Sequence, residues 1–254
     1  MAVCHFKGVQ MLENNKIHLG DAYQLIKLIP DNSVDLIVTD PPYLMKGVKP
    51  RQKIYSSMGK NIRSRDVELY EANIVDGFNL DILTEFVRVL KNINCYIWCN
   101  KAQIISYLDF FVKEHKCKFE ILIWNKANPV PAYNHNYLTD KEYCLYFRKS
   151  SYCQPKNYTD AKTVFYEQTN IADKKLFKHP TIKPLKFIKQ LICNSSNQGD
   201  LILDPFIGSG TTAIASIELN RQFIGFEHNK KWHTIATNRL KGTTATGQTS
   251  FLLR

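Results

Sequence analysis

Leu201-Ile-Leu-Asp204-Pro-Phe-Ile-Gly208-Ser-Gly210-Thr-Thr-Ala213 is the stretch on which the reading of the fold turns. Its apolar start is too short for a helix and fits a strand buried on both faces. Asp204-Pro205 ends that strand, and the two glycines permit a tight turn with close approach of a ligand to the backbone. Thr211 then opens an apolar helix, whose amino end favours a carboxylate or phosphate.

Working outward, the next strand, Gln222–Glu227, ends on an acid 17 residues beyond Gly210. An acid at that place can accept hydrogen bonds from ribose hydroxyls. Loop and acid together form a nucleoside-binding signature, which by itself does not separate S-adenosylmethionine from a dinucleotide. Upstream, apolar runs predict strands at Lys16–Gly20, Val34–Asp40, Asn94–Asn100, Phe119–Trp124, Glu142–Arg148 and Asp200–Asp204. Helical patterns fall at Ala22–Leu28, Leu80–Leu90, Ala102–Glu114, Pro184–Cys193, Thr211–Leu219 and Lys230–Leu240. The alternation predicts an α/β fold, a mostly parallel seven-stranded sheet with helices on both faces. A nucleotide-binding loop normally opens such a sheet, yet only one strand follows it here. The order works if the chain is circularly permuted, with Lys16–Gly20 in the third place and Asp21 within reach of the cofactor's adenine.

The second motif is Asp40-Pro41-Pro42-Tyr43, directly after Val34-Asp-Leu-Ile-Val-Thr39. Two prolines cannot continue a sheet, so the strand stops and the backbone stiffens. A carboxylate, a backbone carbonyl and an aromatic ring are thereby collected at a strand's carboxyl end, where α/β proteins bind ligands. Out of context the same four residues could be only a turn.

The net charge of +11 suits a polyanionic partner such as nucleic acid. It is concentrated in Lys46, Lys49, Arg51, Lys53, Lys60, Arg63 and Arg65, with no acid among them. This basic loop, about residues 44–72, reads as a phosphate-contacting arm just after the Asp-Pro-Pro-Tyr motif; the plainer alternative is a solvated loop. A second long stretch, from about 127 to 179, is rich in Asn, Tyr and Lys, and its aromatic and basic content also fits nucleic-acid contact. Seven cysteines without C-x-x-C spacing read as reduced core thiols. Neither they nor the seven histidines cluster at ligand spacings, so no protein-bound metal is expected. The absence of a secretory pattern or bilayer-length apolar run leads to the expectation of a cytoplasmic protein, nucleoid-associated when bound to DNA, with no membrane partner.

Asp-Pro-Pro-Tyr near the start and Asp-Pro-Phe-x-Gly-x-Gly-Thr-Thr near the end resemble the β-group of amino-methylating DNA methyltransferases. Gly20-Asp21-Ala22 and His179-Pro-Thr-Ile-Lys-Pro184 add to the resemblance, which covers most of the chain. It implies a single catalytic domain over residues 1–254, with a permuted, Rossmann-like class I methyltransferase fold. It implies that the cofactor S-adenosyl-L-methionine meets Asp204, Phe206, Gly208, Ser209, Gly210, Thr211 and Glu227, with Asp21 and Ala22 at its adenine. Thr181 and Lys183 would face its methionine end. Asp40, Pro41, Pro42 and Tyr43 would act on the exocyclic amino group of a flipped-out base in double-stranded DNA, adenine N6 before cytosine N4, because the motif opens on Asp where cytosine enzymes more often carry Ser. The target-recognition region would be a short segment, 150–178. A cognate restriction enzyme and a homodimer are also compatible with the family.

Two other function classes compete. A dinucleotide-dependent dehydrogenase would use the glycine loop but leave Asp40-Pro-Pro-Tyr43 and the basic loop without a task. A catalytically silent DNA-binding subunit would have no reason to keep both Asp40 and the glycines.

Overall fold

The computed structural model describes residues 12–43, 78–129, 137–168 and 182–242, together with the backbone pairing of 54–55 and 61–62. The basic loop's seven Lys and Arg residues, Thr181 and the part of the expected recognition segment from 169 onward lie outside the described residues.

In chain order the strands are β1 (Lys16–Leu19), β2 (Leu36–Thr39), β3 (Ile54–Tyr55), β4 (Asn61–Ile62), β5 (Asn94–Cys99), β6 (Lys118–Lys126), β7 (Lys141–Arg148), β8 (Val164–Glu167), β9 (Leu201–Asp204) and β10 (Gln222–Glu227). The α-helices are α1 (Ala22–Leu25), α2 (Ile82–Val89), α3 (Ile104–Tyr107), α4 (Leu185–Ser195), α5 (Thr211–Glu218) and α6 (Lys230–Leu240). Two expected helices change pitch: α1 tightens into a 3-10 turn over Ile26–Leu28, and α3 widens into a π-helix over Leu108–Glu114.

The main sheet has the order β1-β10-β9-β2-β5-β7-β6-β8, and β3 pairs with β4 as a separate ribbon. The glycine-loop strand β9 lies between β10 and β2, and β1 sits beyond β10 at one edge. This is the permuted order that the sequence called for. All neighbouring pairs in the main sheet are parallel except those made by β7, which runs against both β5 and β6. The count is eight strands instead of the expected seven. The extra one, β8, lies inside the segment read as target recognition and adds to the outer edge of β6.

Period-two alternation divides the core into two layers. Ile37, Cys95, Ile97 and Cys99 point to one face, where Phe86 of α2, Tyr107 of α3 and Phe111 cover them. Leu36, Val38, Tyr96 and Trp98 point to the other, under Phe187, Leu191 and Ile192 of α4 and Ala213 and Ala215 of α5. Cys95 and Cys99, at even spacing on β5, both lie in the first layer. With both faces covered, the strand ends are where functional groups can reach solvent. The reversal of β7 brings its first residues, Lys141 and Glu142, to the edge at which β2, β5, β9 and β10 finish.

Candidate active site

At that edge β2 runs out into Asp40 and β9 into Asp204, and the two ends are tied together. The Thr39 hydroxyl donates to Asp204 Oδ1 over 2.8 Å, and the same oxygen accepts from the Phe206 amide at 3.1 Å. Burial pushes the Asp204 carboxyl up to about 7, against hydrogen bonds from Thr212, Thr39 and Phe206 that favour its ionised form. A cavity opens between these strand ends. Its lining includes Asp40, Trp98, Lys183, Asp204, Phe206 and Gly208, so the two motifs, 164 positions apart, face a common space.

Asp40 is held from one side. Its Oδ2 pairs with Lys183 Nζ at 2.8 Å, whereas Oδ1 is buried without a hydrogen-bond partner among the described residues. A buried carboxylate oxygen left in that state is costly unless a donor arrives. Burial raises the Asp40 carboxyl above its ordinary value; Lys183 and a hydrogen bond from the Tyr43 hydroxyl oppose the rise, and Glu142 adds to it. Lys183 Nζ also donates to Glu142 Oε2 at 2.8 Å and to the Tyr43 hydroxyl at 3.1 Å, and it stands 4.6 Å above the Trp98 ring. Its three donors are thus all engaged. Burial disfavours the ammonium, but Asp40 and Glu142 hold it above the usual lysine value. Lys126 pairs with the other oxygen of Glu142 at 2.7 Å. Burial works against ionisation of Glu142 as well, yet Lys183 and Lys126 bring it down to about 2. The Pro42 carbonyl is approached by Gln103 Nε2 at 3.4 Å.

The glycine loop is fixed from beneath. Gly210 has φ +80°, a conformation that a side chain would strain, and Ala236 of α6 lies against its Cα. Ile207 donates its amide to Phe226 O at 3.0 Å and packs so closely on Gly225 that a Cβ there would come within 2.2 Å of Ile207 Cδ1. The buried Arg239 donates to Ser209 O at 3.1 Å and to Thr211 Oγ1 at 2.8 Å. Glu227, 8% exposed, accepts from the Asn229 amide at 2.7 Å. Burial raises its carboxyl to about 7, and hydrogen bonds from the amides of Asn229 and Gly208 pull the other way. The arrangement offers a partnerless acceptor, an aromatic ring and a backbone cradle around one cavity, which suits a donor-bearing planar group opposite a nucleoside.

Residues 34–238 match the family model described as DNA methylase, for methyltransferases of the N6 and N4 type. The chain belongs to this DNA methylase family. Among relatives of the methylase, the type II methyltransferase M2.MboI of Moraxella bovis is 32% identical over 243 residues, spanning 89% of this chain and 88% of that protein. The DNA adenine methyltransferase YhdJ of Escherichia coli K12 is 28% identical over 256 residues, spanning 87% and 81%. The solved M1.HpyAVI–SAM complex superposes with a TM-score of 0.62 at 27% identity, covering 89% of this chain and 99% of that one.

Most of the site residues expected in the methylase meet at the strand-end edge. Asp40 and Tyr43 stand together on Lys183, and Asp204, Phe206, Gly208, Ser209 and Thr211 line the same cavity. Asp21 caps α1 by accepting from the Tyr23 amide at 2.9 Å, with buried Ala22 next to it. The neighbouring Gly20 amide donates to Glu227 O at 3.0 Å, which brings Asp21 near the end of β10. Sequence reasoning missed Glu142, Lys126, Thr39, Gln103 and Arg239. The one signal for Glu142 was an acid at the head of an otherwise apolar run, Tyr143-Cys-Leu-Tyr-Phe147.

Proposed function

We infer that this chain transfers a methyl group from S-adenosylmethionine to the N6 amino group of adenine in DNA. The observation that carries the reading is Asp40 Oδ1, a buried acceptor without a hydrogen-bond partner among the described residues, which shares a cavity with the glycine loop. Supporting it are the family itself, YhdJ as a DNA adenine methyltransferase, and M1.HpyAVI as an SAM complex.

The residues present fit the cofactor. Gly208 borders the cavity with no Cβ in the way, Glu227 offers a carboxylate for ribose hydroxyls, and Asp21 follows β1, whose end lies beside that of β10. S-adenosylmethionine supplies an electrophilic methyl on a sulfonium. The task left to the protein is the nucleophile, because the lone pair of an aromatic amino group is delocalised into its ring. Asp40 Oδ1 and the Pro41 carbonyl accept the two amino hydrogens, which localises the lone pair on nitrogen and aims it at the methyl. Asp40 would also accept the hydrogen bond along which the surplus amino proton leaves once the nitrogen has taken the methyl and the C–S pair has returned to sulfur. Tyr43 stacks on the base, which must leave the duplex to reach the cavity. Lys46, Lys49, Arg51, Lys53, Lys60, Arg63 and Arg65 supply contacts to DNA phosphates, and 150–178 contributes to target recognition.

Purified protein incubated with DNA and S-adenosylmethionine labelled in the methyl should label the DNA. Asp40→Ala should bind the cofactor with near-normal affinity and transfer nothing. An Asp40→Ala protein that still transfers methyl groups would refute the assignment.

A further inference from the structure

We propose that Glu142, backed by Lys126, is a positioning residue for methyl transfer: it holds the far side of the Lys183 ammonium so that Lys183 grips Asp40 by Oδ2 and leaves Oδ1 to the amino group. The inference rests on the reading of Asp40 given above.

The contacts run in one line. Asp40 Oδ2 lies 2.8 Å from Lys183 Nζ, Nζ lies 2.8 Å from Glu142 Oε2, and Glu142 Oε1 lies 2.7 Å from Lys126 Nζ. All four side chains are largely withdrawn from water, with exposures of 23%, 9%, 16% and 9% along that line. Charges alternate in sign, and the cluster as a whole is neutral. A lysine is a point charge on a flexible four-carbon stem, so contact with Asp40 alone would not fix where it stands. Glu142 does that from a sheet position. It sits on β7, paired with Trp124 of β6, and only because β7 runs backwards does its first turn reach the edge where β2 ends.

Glu142 also sets how strong an acceptor Asp40 is. A carboxylate that owned the whole Lys183 charge would be a weaker hydrogen-bond acceptor, and sharing Lys183 with Glu142 keeps Asp40 more basic. Other titratable groups facing Asp40 are Tyr43, Cys99, Cys144, Tyr107 and Asp204. Burial raises the two thiols and two phenols, Cys99 to about 12, so these stay neutral at neutral pH. Asp204 titrates near 7 but is touched by none of the changes tested here, so its influence is common to every variant compared.

The test uses Glu142→Gln, Lys126→Met and the double variant, followed by the pH profile of kcat and by titration of the Asp40 carboxyl carbon in aspartate-labelled protein. Glu142→Gln removes a negative charge near Asp40, so the acid limb and the carboxyl midpoint should both fall by about one pH unit. Neutral-pH kcat should drop about tenfold, the loss expected when an acceptor becomes that much less basic. Lys126→Met should move limb and midpoint in the opposite direction, and the double variant should return them towards wild type. Cofactor affinity should stay within about twofold throughout, because no contact to the glycine loop changes. Single variants that shift together, or leave the Asp40 midpoint where it was, would overturn the proposal. Absence of methyl transfer by the wild type would instead overturn the functional reading, and the carboxyl titration would still decide the charge linkage.

Discussion

Replacing Lys183 by Met removes the cation that, among the described residues, pairs with Asp40, while keeping the apolar stem that packs near Trp98. Three hydrogen bonds go, to Asp40 Oδ2, Glu142 Oε2 and the Tyr43 hydroxyl. Breaking a buried pair by deleting one partner costs about 3–5 kcal/mol, since the other charge is left uncompensated. At about 2–4 °C per kcal/mol for a domain of this size, Tm should fall by about 6–20 °C. The sign of the pH dependence is fixed as well. In the wild type Glu142 sits at about 2, below its ordinary 4.5, so its stabilisation is present above 4.5 and is lost as pH falls towards 2. In Lys183→Met the Asp40 carboxyl, already raised by burial, rises further. Such a group favours the folded state when protonated, and that advantage is lost as pH rises from the unfolded value through the folded one. The Tm gap between wild type and variant should therefore widen from pH 5 to pH 8, followed by circular dichroism melts at several pH values. A gap that is constant, or that narrows at pH 8, would mean that the ion pair does not hold the site as described.

Three further outcomes are expected. Burial raises Glu227 to about 7, and only its carboxylate can accept with both oxygens from the two hydroxyls of a ribose, so affinity for S-adenosylmethionine should fall below pH 7, and calorimetry on Glu227→Gln should show a flatter dependence. Gly225→Ala places a methyl 2.2 Å from Ile207 Cδ1 and should lower stability by about 1–3 kcal/mol, read from denaturant melts; an unchanged midpoint would contradict the close packing of loop on strand. Neutralising Lys49, Arg51 and Lys53 together should weaken DNA binding and reduce its salt slope by about 3, whereas unchanged affinity would make the basic loop a linker.

The sheet was legible because its central strands announce themselves. Leu36–Thr39, Asn94–Cys99 and Leu201–Asp204 are short apolar runs ending on turn residues, and the position of the glycine loop near the chain's end dictated the permutation. Val164–Glu167 escaped notice because it is four residues long, half exposed and set on an edge, where no apolar run is required. The site divides along the same line. Asp40 and the glycine loop are contiguous motifs whose chemistry is local. The Asp40–Lys183–Glu142–Lys126 line is assembled from the end of β2, the segment before α4, and the two strands β6 and β7, and no spacing rule connects residues 16 to 143 positions apart. At the sequence level Glu142 and Lys126 are ordinary charged residues at strand ends. Lys183 was singled out, but for the cofactor; it lines the cavity beside the glycine loop while its ammonium is committed to the acids next to it.

The most direct test of the account is a nucleoside digest of DNA incubated with the wild-type protein and S-adenosylmethionine, analysed by mass spectrometry beside Asp40→Ala. The account predicts N6-methyldeoxyadenosine from the wild type and none from Asp40→Ala. N4-methyldeoxycytidine alone, or no methylated nucleoside at all, would contradict it.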